Sequence, residues 1–361
     1  MVLIVAIIIS IFILILLSSI ILISLNISLK KQVNISQEVK ISVIISIKNE
    51  KDKIKDLVDN LNNLIYPQSK YEVIIVNDNS TDETFEELKL QTAEFNNFSV
   101  IDLKPTGLRG KREALSLGIQ HSKYPYILIT DADCKQQKGW LQAYSRKFES
   151  GYDMLFGIAP FYQNESLINK VTCVENLRAG LLSFSMAKLG LPYTSAARNF
   201  GFTKKAFEAI GGYSNTKDTL SGDDDLLLRE AVKRKLKIGV VTDPGSFVYS
   251  ETKKTFKEYL QQRARHTQTS FRYLKKHQFI LGFWHLINLL FLFSPLMLFV
   301  NAWFGILLPA KLLVDLIVIK STQNKFGYKF SVVEIFYLQI FYELFLIVHF
   351  FNARFSEIKW K

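Results

Sequence analysis

Apolar residues crowd the two ends of this chain and are spaced in a regular pattern between them. Val2 to Leu25 is apolar apart from a few serines. A run of that length can cross a bilayer core as a helix, with every backbone group bonded within the segment. It is too long for the apolar part of a secretory signal, and no basic residue precedes it. Lys30 and Lys31 follow directly. Basic residues favour the cytosolic side, so the downstream chain is expected in the cytosol.

From Val39 to about Lys276 short β-branched runs alternate with helical stretches. Strands are expected at Val43–Ile47, Tyr71–Val76, Val100–Leu103 and Tyr126–Thr130. Helices are expected at Asp52–Leu64, Asp82–Glu94 and Lys111–His121. Such β-α-β alternation predicts an α/β fold with a mostly parallel sheet covered by helices. Ligands of these sheets sit beyond the carboxyl ends of the strands, so the polar tails there deserve scrutiny.

The chain turns apolar again at Phe279. Phe279–Val300 and Val332–Phe351 have spanning length, and Trp303–Ile319 is a weaker third because it carries Lys311 and Asp315. Those two are four apart on a helix and can pair. Glu334 and Glu343 must face protein or the interface rather than lipid. One span in front and three behind would leave Arg354, Lys359 and Lys361 on the outside, against the positive-inside rule. The expected layout is therefore a membrane helix over 1–30, a cytosolic domain over 39–276, and a membrane region of two or three spans over 277–361.

Composition narrows this little further. The net charge of +12 suits an anionic membrane, phosphorylated substrates or nucleic acid. The apolar ends favour the membrane. No zinc finger or RNA-recognition motif supports nucleic acid. The two cysteines, Cys134 and Cys173, make neither a disulfide framework nor a metal cluster, and read as free thiols in a reducing compartment.

Candidate chemistry lies in six polar segments. Asn49 and Glu50 follow the first strand, and Asn77-Asp78-Asn79-Ser80-Thr81-Asp82 follows the second. Such groups can bond a base or ribose, or simply cap the next helix. Gly110-Lys111-Arg112 opens a helix where a lysine can meet phosphate, though the glycine spacing is not that of a P-loop. Asp131-Ala132-Asp133 ends an apolar strand. Its hard oxygens suit Mg²⁺ or Mn²⁺, which also bind substrate phosphates. Ser221-Gly222-Asp223-Asp224-Asp225-Leu226 sets three carboxylates at a helix start, either to match the helix dipole or to supply a general base. Gln262-Arg263-Ala264-Arg265-His266 precedes the last apolar region and can meet lipid phosphates or clamp a diphosphate.

Taken in order, these tails resemble the family 2 glycosyltransferases of GT-A fold, such as cellulose, hyaluronan and poly-N-acetylglucosamine synthases and ceramide glucosyltransferase. The resemblance covers Val39 to His266. It implies that Asn49, Glu50 and Asp78 hold the nucleoside and that Lys111 approaches the diphosphate. Asp131 and Asp133 match the family's Asp-x-Asp, with Asp133 on the metal. The Asp223-Asp224-Asp225 run matches the Glu-Asp-x-Asp-Leu region, whose base falls on Asp223, or on Asp224 if the alignment shifts by one. Gln262, Arg263 and Arg265 match Gln-x-x-Arg-Trp, with His266 in place of the Trp that packs against the acceptor. Asn77 stands where Asp is usual.

The resemblance implies an inverting enzyme that moves a sugar from a nucleotide donor, a UDP-sugar first, to a lipid-linked or glycan acceptor. It needs Mg²⁺ or Mn²⁺ and has room for a partner subunit. A processive polysaccharide synthase and a non-catalytic scaffold subunit are the alternatives. The scaffold predicts missing metal or base carboxylates, and these are present. Arg198 and Asn199 lie between the metal and base motifs and are further polar candidates.

Overall fold

The computed structural model describes residues 2–26, 38–216 and 222–355. Lys30, Lys31, Ser221, Lys359 and Lys361 lie outside the described residues. The chain divides into two compact units: Lys30–Tyr162 with Thr194–Glu251, and Met1–Leu29 with Gln163–Tyr193 and Thr252–Lys361.

In chain order the elements begin with α1 (Val2–Asn26), β1 (Ile41–Ile47), α2 (Ile54–Asn62), β2 (Tyr71–Asn77), α3 (Thr84–Thr92) and β3 (Phe98–Asp102). Next come α4 (Lys111–His121), β4 (Tyr126–Asp131), β5 (Cys134–Gln136), α5 (Trp140–Glu149), β6 (Met154–Gly157) and α6 (Leu167–Lys188). Then follow β7 (Phe200–Thr203), α7 (Lys204–Ala209), α8 (Asp223–Lys233), β8 (Ile238–Val241) and β9 (Val248–Ser250). The last are α9 (Phe256–Ser270), α10 (Lys275–Leu292), α11 (Leu307–Thr322) and α12 (Val332–Phe355). All seven elements expected between residues 43 and 130 form, with ends shifted by a residue or a few.

The first unit is an α/β domain. Its seven-stranded sheet has the order β3-β2-β1-β4-β7-β6-β8, and β5 pairs with β9 in a separate ribbon. All neighbours in the large sheet run parallel except β7, which is antiparallel to β4 and β6. β1 and β2 are buried along nearly their whole length, as strands covered on both faces must be, which explains their runs of Val and Ile. Helix α5 fills one face with Trp140, Tyr144 and Phe148, spaced four apart on one stripe. Helix α4 covers strands β1 and β2 closely at Gly118. A Cβ there would stand 2.6 Å from Ile44 Cγ2 and 3.2 Å from Val76 Cγ2.

The second unit is helical, and α6 belongs to it rather than to the domain expected over 39–276. The reason is burial: α6 packs against α1 and α12, with apolar residues such as Val171, Val174, Leu177 and Leu181 inside. Among the described residues, three segments are long and apolar enough to cross a membrane: Ile4–Asn26, Ala302–Phe326 and Val332–Phe355. The expected span at Phe279–Val300 is broken. Helix α10 stops at Leu292, and Pro295 lies in the 3₁₀ turns that follow. Proline has no N–H for the helical ladder.

The charges in these apolar helices find each other. Lys311 donates to Asp315 at 2.6 Å, as their spacing predicts. Arg178 of α6 bridges Asp315 at 2.7 Å and Glu343 at 3.0 Å. Glu343 thus faces protein, and Glu334 pairs with Lys170 at 3.0 Å. Breaking one member of such a buried group leaves an uncompensated charge, which costs several kcal/mol, roughly 3–5.

Candidate active site

Parallel pairing in register gathers the polar tails. Ser46 of β1 stands opposite Asp131 of β4, and Ile47 opposite Asn77 of β2. The tails beyond these strands are therefore neighbours at one sheet edge. They are also stitched together. Asn49 adopts a left-handed backbone (φ 53°), and its Oδ1 accepts from the Thr81 N–H at 2.8 Å. The Asn49 and Glu50 N–H groups donate to Ser80 Oγ and Thr84 Oγ1, each at 3.0 Å. Asp78 accepts from the Gly110 N–H at 2.8 Å, tying the second tail to the start of α4. Gly110 has φ 98°, which a residue with a side chain rarely adopts. Asn77 donates to Asp102 Oδ1 at 3.0 Å, so its amide is used in joining strand ends.

Helix α4 opens with two cations aimed at two different carboxylates. Lys111 Nζ donates to Asp131 Oδ1 at 2.5 Å. Arg112 Nε pairs with Asp223, in the first turn of α8. Burial works against the Lys111 ammonium, but the charges of Asp131, Asp223 and Asp224 outweigh it and raise its pKa. Burial likewise works against ionised Asp131, yet Lys111, with help from Arg198, holds its pKa below the ordinary value. Arg198 is anchored by donating to the Ala159 carbonyl at 2.5 Å and stacks on Phe161, 4.2 Å from the ring centre.

The three carboxylates of α8 differ in their company. Asp225 accepts from Thr194 Oγ1 at 2.8 Å and from the Ser195 N–H at 2.9 Å. It acts as a strut between α8 and the segment before β7. Asp223 is neutralised by Arg112. Asp224 accepts a 3.2 Å hydrogen bond from Ser195 Oγ and one from the Asp225 N–H. Burial and then the charges of Asp225 and Asp223 push its pKa well above the usual range, against a weaker pull from Lys111. Two adjacent carboxyl groups with opposed surroundings are how a protein separates proton-transfer roles.

The Asp131 and Asp133 carboxylates and the Cys134 thiol have ligand atoms within 4.8 Å of one another. Burial holds the Cys134 thiol protonated, with its pKa well above the usual value. The two carboxylates remain, and these hard oxygens fit Mg²⁺ or Mn²⁺ rather than a thiophilic metal. Asp131 is half-buried and already shared with Lys111, while Asp133 is exposed.

Other candidates sort differently. Asn199 is fully buried. It bonds the Trp140 indole (2.9 Å), the Tyr144 hydroxyl (2.8 Å) and the Ile158 carbonyl (2.8 Å), a structural hub rather than a substrate contact. Glu50 pairs with Lys53 at 2.6 Å. Gln262, Arg263 and Arg265 lie on α9 in the helical unit. There Arg263 Nε meets Glu175 Oε2 at 2.7 Å, and Glu175 also accepts from the Tyr259 hydroxyl at 2.7 Å. His266, where the resembled motif has Trp, is exposed. Arg112, Thr194 and Ser195 were not singled out in the sequence. Arg112 was visible there only as the second cation of Lys111-Arg112.

Residues 42–210 match the family model described as glycosyl transferase family 2. The chain carries a family 2 glycosyltransferase domain. Among curated proteins, a poly-beta-1,6-N-acetyl-D-glucosamine synthase of Staphylococcus aureus is 31% identical over 134 residues, covering 37% of this chain and 31% of that protein. A beta-monoglucosyldiacylglycerol synthase of Nostoc is 29% identical over 204 residues, covering 52% and 40%. The chain thus spans well under half the length of these relatives. Among solved structures, the Pyrobaculum calidifontis mannosyltransferase PcManGT, in complex with GDP-Man and Mn²⁺, superposes with a TM-score of 0.63. The match covers 97% of both chains at 16% identity. That likeness establishes the GT-A fold.

Proposed function

We propose that this family 2 glycosyltransferase is an inverting, metal-dependent enzyme at the cytosolic membrane face. It moves a sugar from a nucleotide-sugar donor, a UDP-sugar first, to a lipid-linked or glycan acceptor. The observation that carries the reading is the pairing of Lys111 with Asp131 beside a high-pKa Asp224. One corner of the sheet edge thereby holds a fixed cation, a metal-type carboxylate pair and a candidate base.

Asn49, Glu50 and Asp78 line the edge where the nucleoside would lie. Asp133, with Asp131, would hold Mg²⁺ or Mn²⁺, which supplies charge neutralisation of the departing diphosphate. Lys111 is aimed at the same region and stabilises the same developing charge. An acceptor hydroxyl loses its proton to Asp224 as its oxygen attacks the anomeric carbon. The bond to the diphosphate breaks on the opposite side, and the anomeric configuration inverts. We assign the base to Asp224 over Asp223 because Arg112 already satisfies Asp223. A raised pKa also makes Asp224 the better proton acceptor. Gln262, Arg263 and Arg265 would serve the acceptor or diphosphate from α9.

A second reading is a processive polysaccharide synthase, supported by the likeness to the poly-N-acetylglucosamine synthase and by the Gln-x-x-Arg spacing. The likeness to a glucosyldiacylglycerol synthase supports the lipid acceptor. Either version works with or without a partner subunit, and both need the same donor chemistry. Detergent-purified protein tested with a panel of nucleotide sugars and Mn²⁺ should release one nucleoside diphosphate, and Asp133→Ala should abolish release. Absence of both nucleotide binding and release across the panel would remove the transferase reading.

A further inference from the structure

The α/β unit holds a cavity of about 580 Å³ with Asp133 in its lining. That volume falls within the roughly 300–1,000 Å³ typical of small-ligand sites. None of Asn49, Glu50, Asp78 and Lys111 lines it. Its wall is the outer stripe of α2, whose opposite face, with Ile54, Val58 and Leu61, is buried in the core. Asp56, Asp59 and Asn63 stand at i, i+3 and i+7, a spacing that aligns them on one helix face.

The facing wall is the β5–β9 ribbon region, held in place from α2 itself. Asn60 donates to the Gln136 carbonyl at 3.0 Å and accepts from the Gln136 N–H at 2.9 Å. Tyr162 lines the cavity. Its ring stacks on Tyr249, centroids 4.9 Å apart and planes 21° apart, so its orientation is fixed. It nonetheless stays 37% exposed.

We propose that this cavity is an acceptor subsite for an uncharged saccharide. The chemistry selects the class. A fixed aromatic face takes the C–H side of a pyranose ring, and aligned carboxylates and amides accept and donate to its hydroxyls. Three lysines in the lining meet four carboxylates, so the cavity has no positive surplus with which to hold a phosphate-bearing or acidic chain. Asp133 is common to the cavity lining and to the metal-type carboxylate pair, so an acceptor bound here reaches the catalytic corner. The volume exceeds what one ring needs, which suits an oligosaccharide arm. The inference rests on the transferase reading above, because only that reading brings a sugar donor to the Asp131–Asp133 pair.

The test uses the full chain in lipid nanodiscs and needs no turnover. Binding of neutral β-linked glucose and N-acetylglucosamine pentasaccharides is measured by saturation-transfer NMR. A glycerol-phosphate oligomer serves as the anionic control, and nucleoside diphosphate and nucleotide-sugar affinities are measured in parallel. At least one neutral pentasaccharide should bind. Tyr162→Ala and, separately, Asp56→Asn on the exposed helix face should each weaken it about tenfold or more. Nucleotide affinity should be unchanged in both, which also shows that the variants are folded.

Binding unaffected by either substitution, preference for the anionic oligomer, or no binding of any neutral pentasaccharide would overturn the subsite while leaving the transferase reading standing. Weakening confined to the nucleotide-sugar, with nucleoside diphosphate unchanged, would assign the cavity to the donor's own sugar and overturn the proposal. Loss of all nucleotide binding in the unsubstituted chain would instead overturn the transferase reading, and this one with it.

Discussion

Replacing Asp224 with Asn should make the protein more stable and nearly inactive at once. Asp224 lies between the carboxylates of Asp223 and Asp225, and its hydrogen bond from Ser195 Oγ is long at 3.2 Å for a charged acceptor. Burial and the two neighbouring charges therefore hold its pKa well above the ordinary value. The sign for stability follows. Below the unfolded pKa, near 4, both states carry the proton and nothing is lost. As pH rises past that value the unfolded chain releases its proton first, and the folded state loses stability until pH passes the folded pKa.

Each unit of upward shift is worth about 1.4 kcal/mol above that window. Asn removes the penalty and keeps an acceptor toward Ser195, and the Arg112–Asp223 pair is untouched. Activity moves the other way. Loss of a general base costs about 10²–10⁴ in kcat, or roughly 3–5 kcal/mol of transition-state stabilisation. The assay pairs urea midpoints at pH 5 and pH 8 with nucleoside diphosphate release. A gain in stability that grows between those pH values, together with the loss of kcat, is the expected pattern. An Asp224→Asn enzyme within about threefold of the parent, beside an inactive Asp223→Asn, would refute the assignment and move the base to Asp223.

The remaining expectations concern the rest of the site and the scaffold around it. The parent enzyme's kcat should fall on the acid side with an apparent pKa above the ordinary carboxylate range, and that limb should be absent in Asp224→Asn. Lys111→Met should lower kcat by about 10²–10³ and leave Asp131 unpaired, with its pKa raised in a carboxylate titration by NMR or infrared. Gly118→Ala should destabilise the α/β unit by about 1–3 kcal/mol in chemical denaturation, since its Cβ would meet Ile44 at 2.6 Å and the buried strand has nowhere to retreat. Glu175→Gln should raise the KM for acceptor more than that for donor if Arg263 acts on the acceptor, because it loosens the guanidinium held at 2.7 Å without touching the α/β unit.

Much of this was legible in the residues because parallel strands buried on both faces must be apolar throughout. β1, β2 and β4 announced themselves that way, and the polar residues after them marked the sheet edge. The base was less legible. Asp223 and Asp224 are adjacent in sequence and chemically identical, and only the approach of Arg112 from α4, more than a hundred residues earlier, separates them. Asn199 looked like a site residue because amides in such a stretch often are. Its burial among Trp140, Tyr144 and Ile158 is a long-range fact that no local pattern carries. The break in the span from Phe279 was written in Pro295, which hydropathy alone overrides. Trp303–Ile319 looked weak because of Lys311 and Asp315. It gains its place because Arg178 and Glu343 complete the charge group from other helices. The carboxylate stripe of α2 carried no signal of its own, since nothing in the helix itself tells that Tyr162 and the β5–β9 ribbon stand opposite.

The most direct measurement is transfer of labelled sugar. The full chain, reconstituted in vesicles, is given each labelled nucleotide sugar with Mn²⁺ and a lipid extract or neutral oligosaccharide, with Asp133→Ala in parallel. The account predicts label from one donor in the acceptor fraction, with inverted anomeric configuration, abolished by chelation and by the substitution. Label transferred with retained configuration would contradict the single displacement, and transfer that survives both chelation and Asp133→Ala would contradict the metal site.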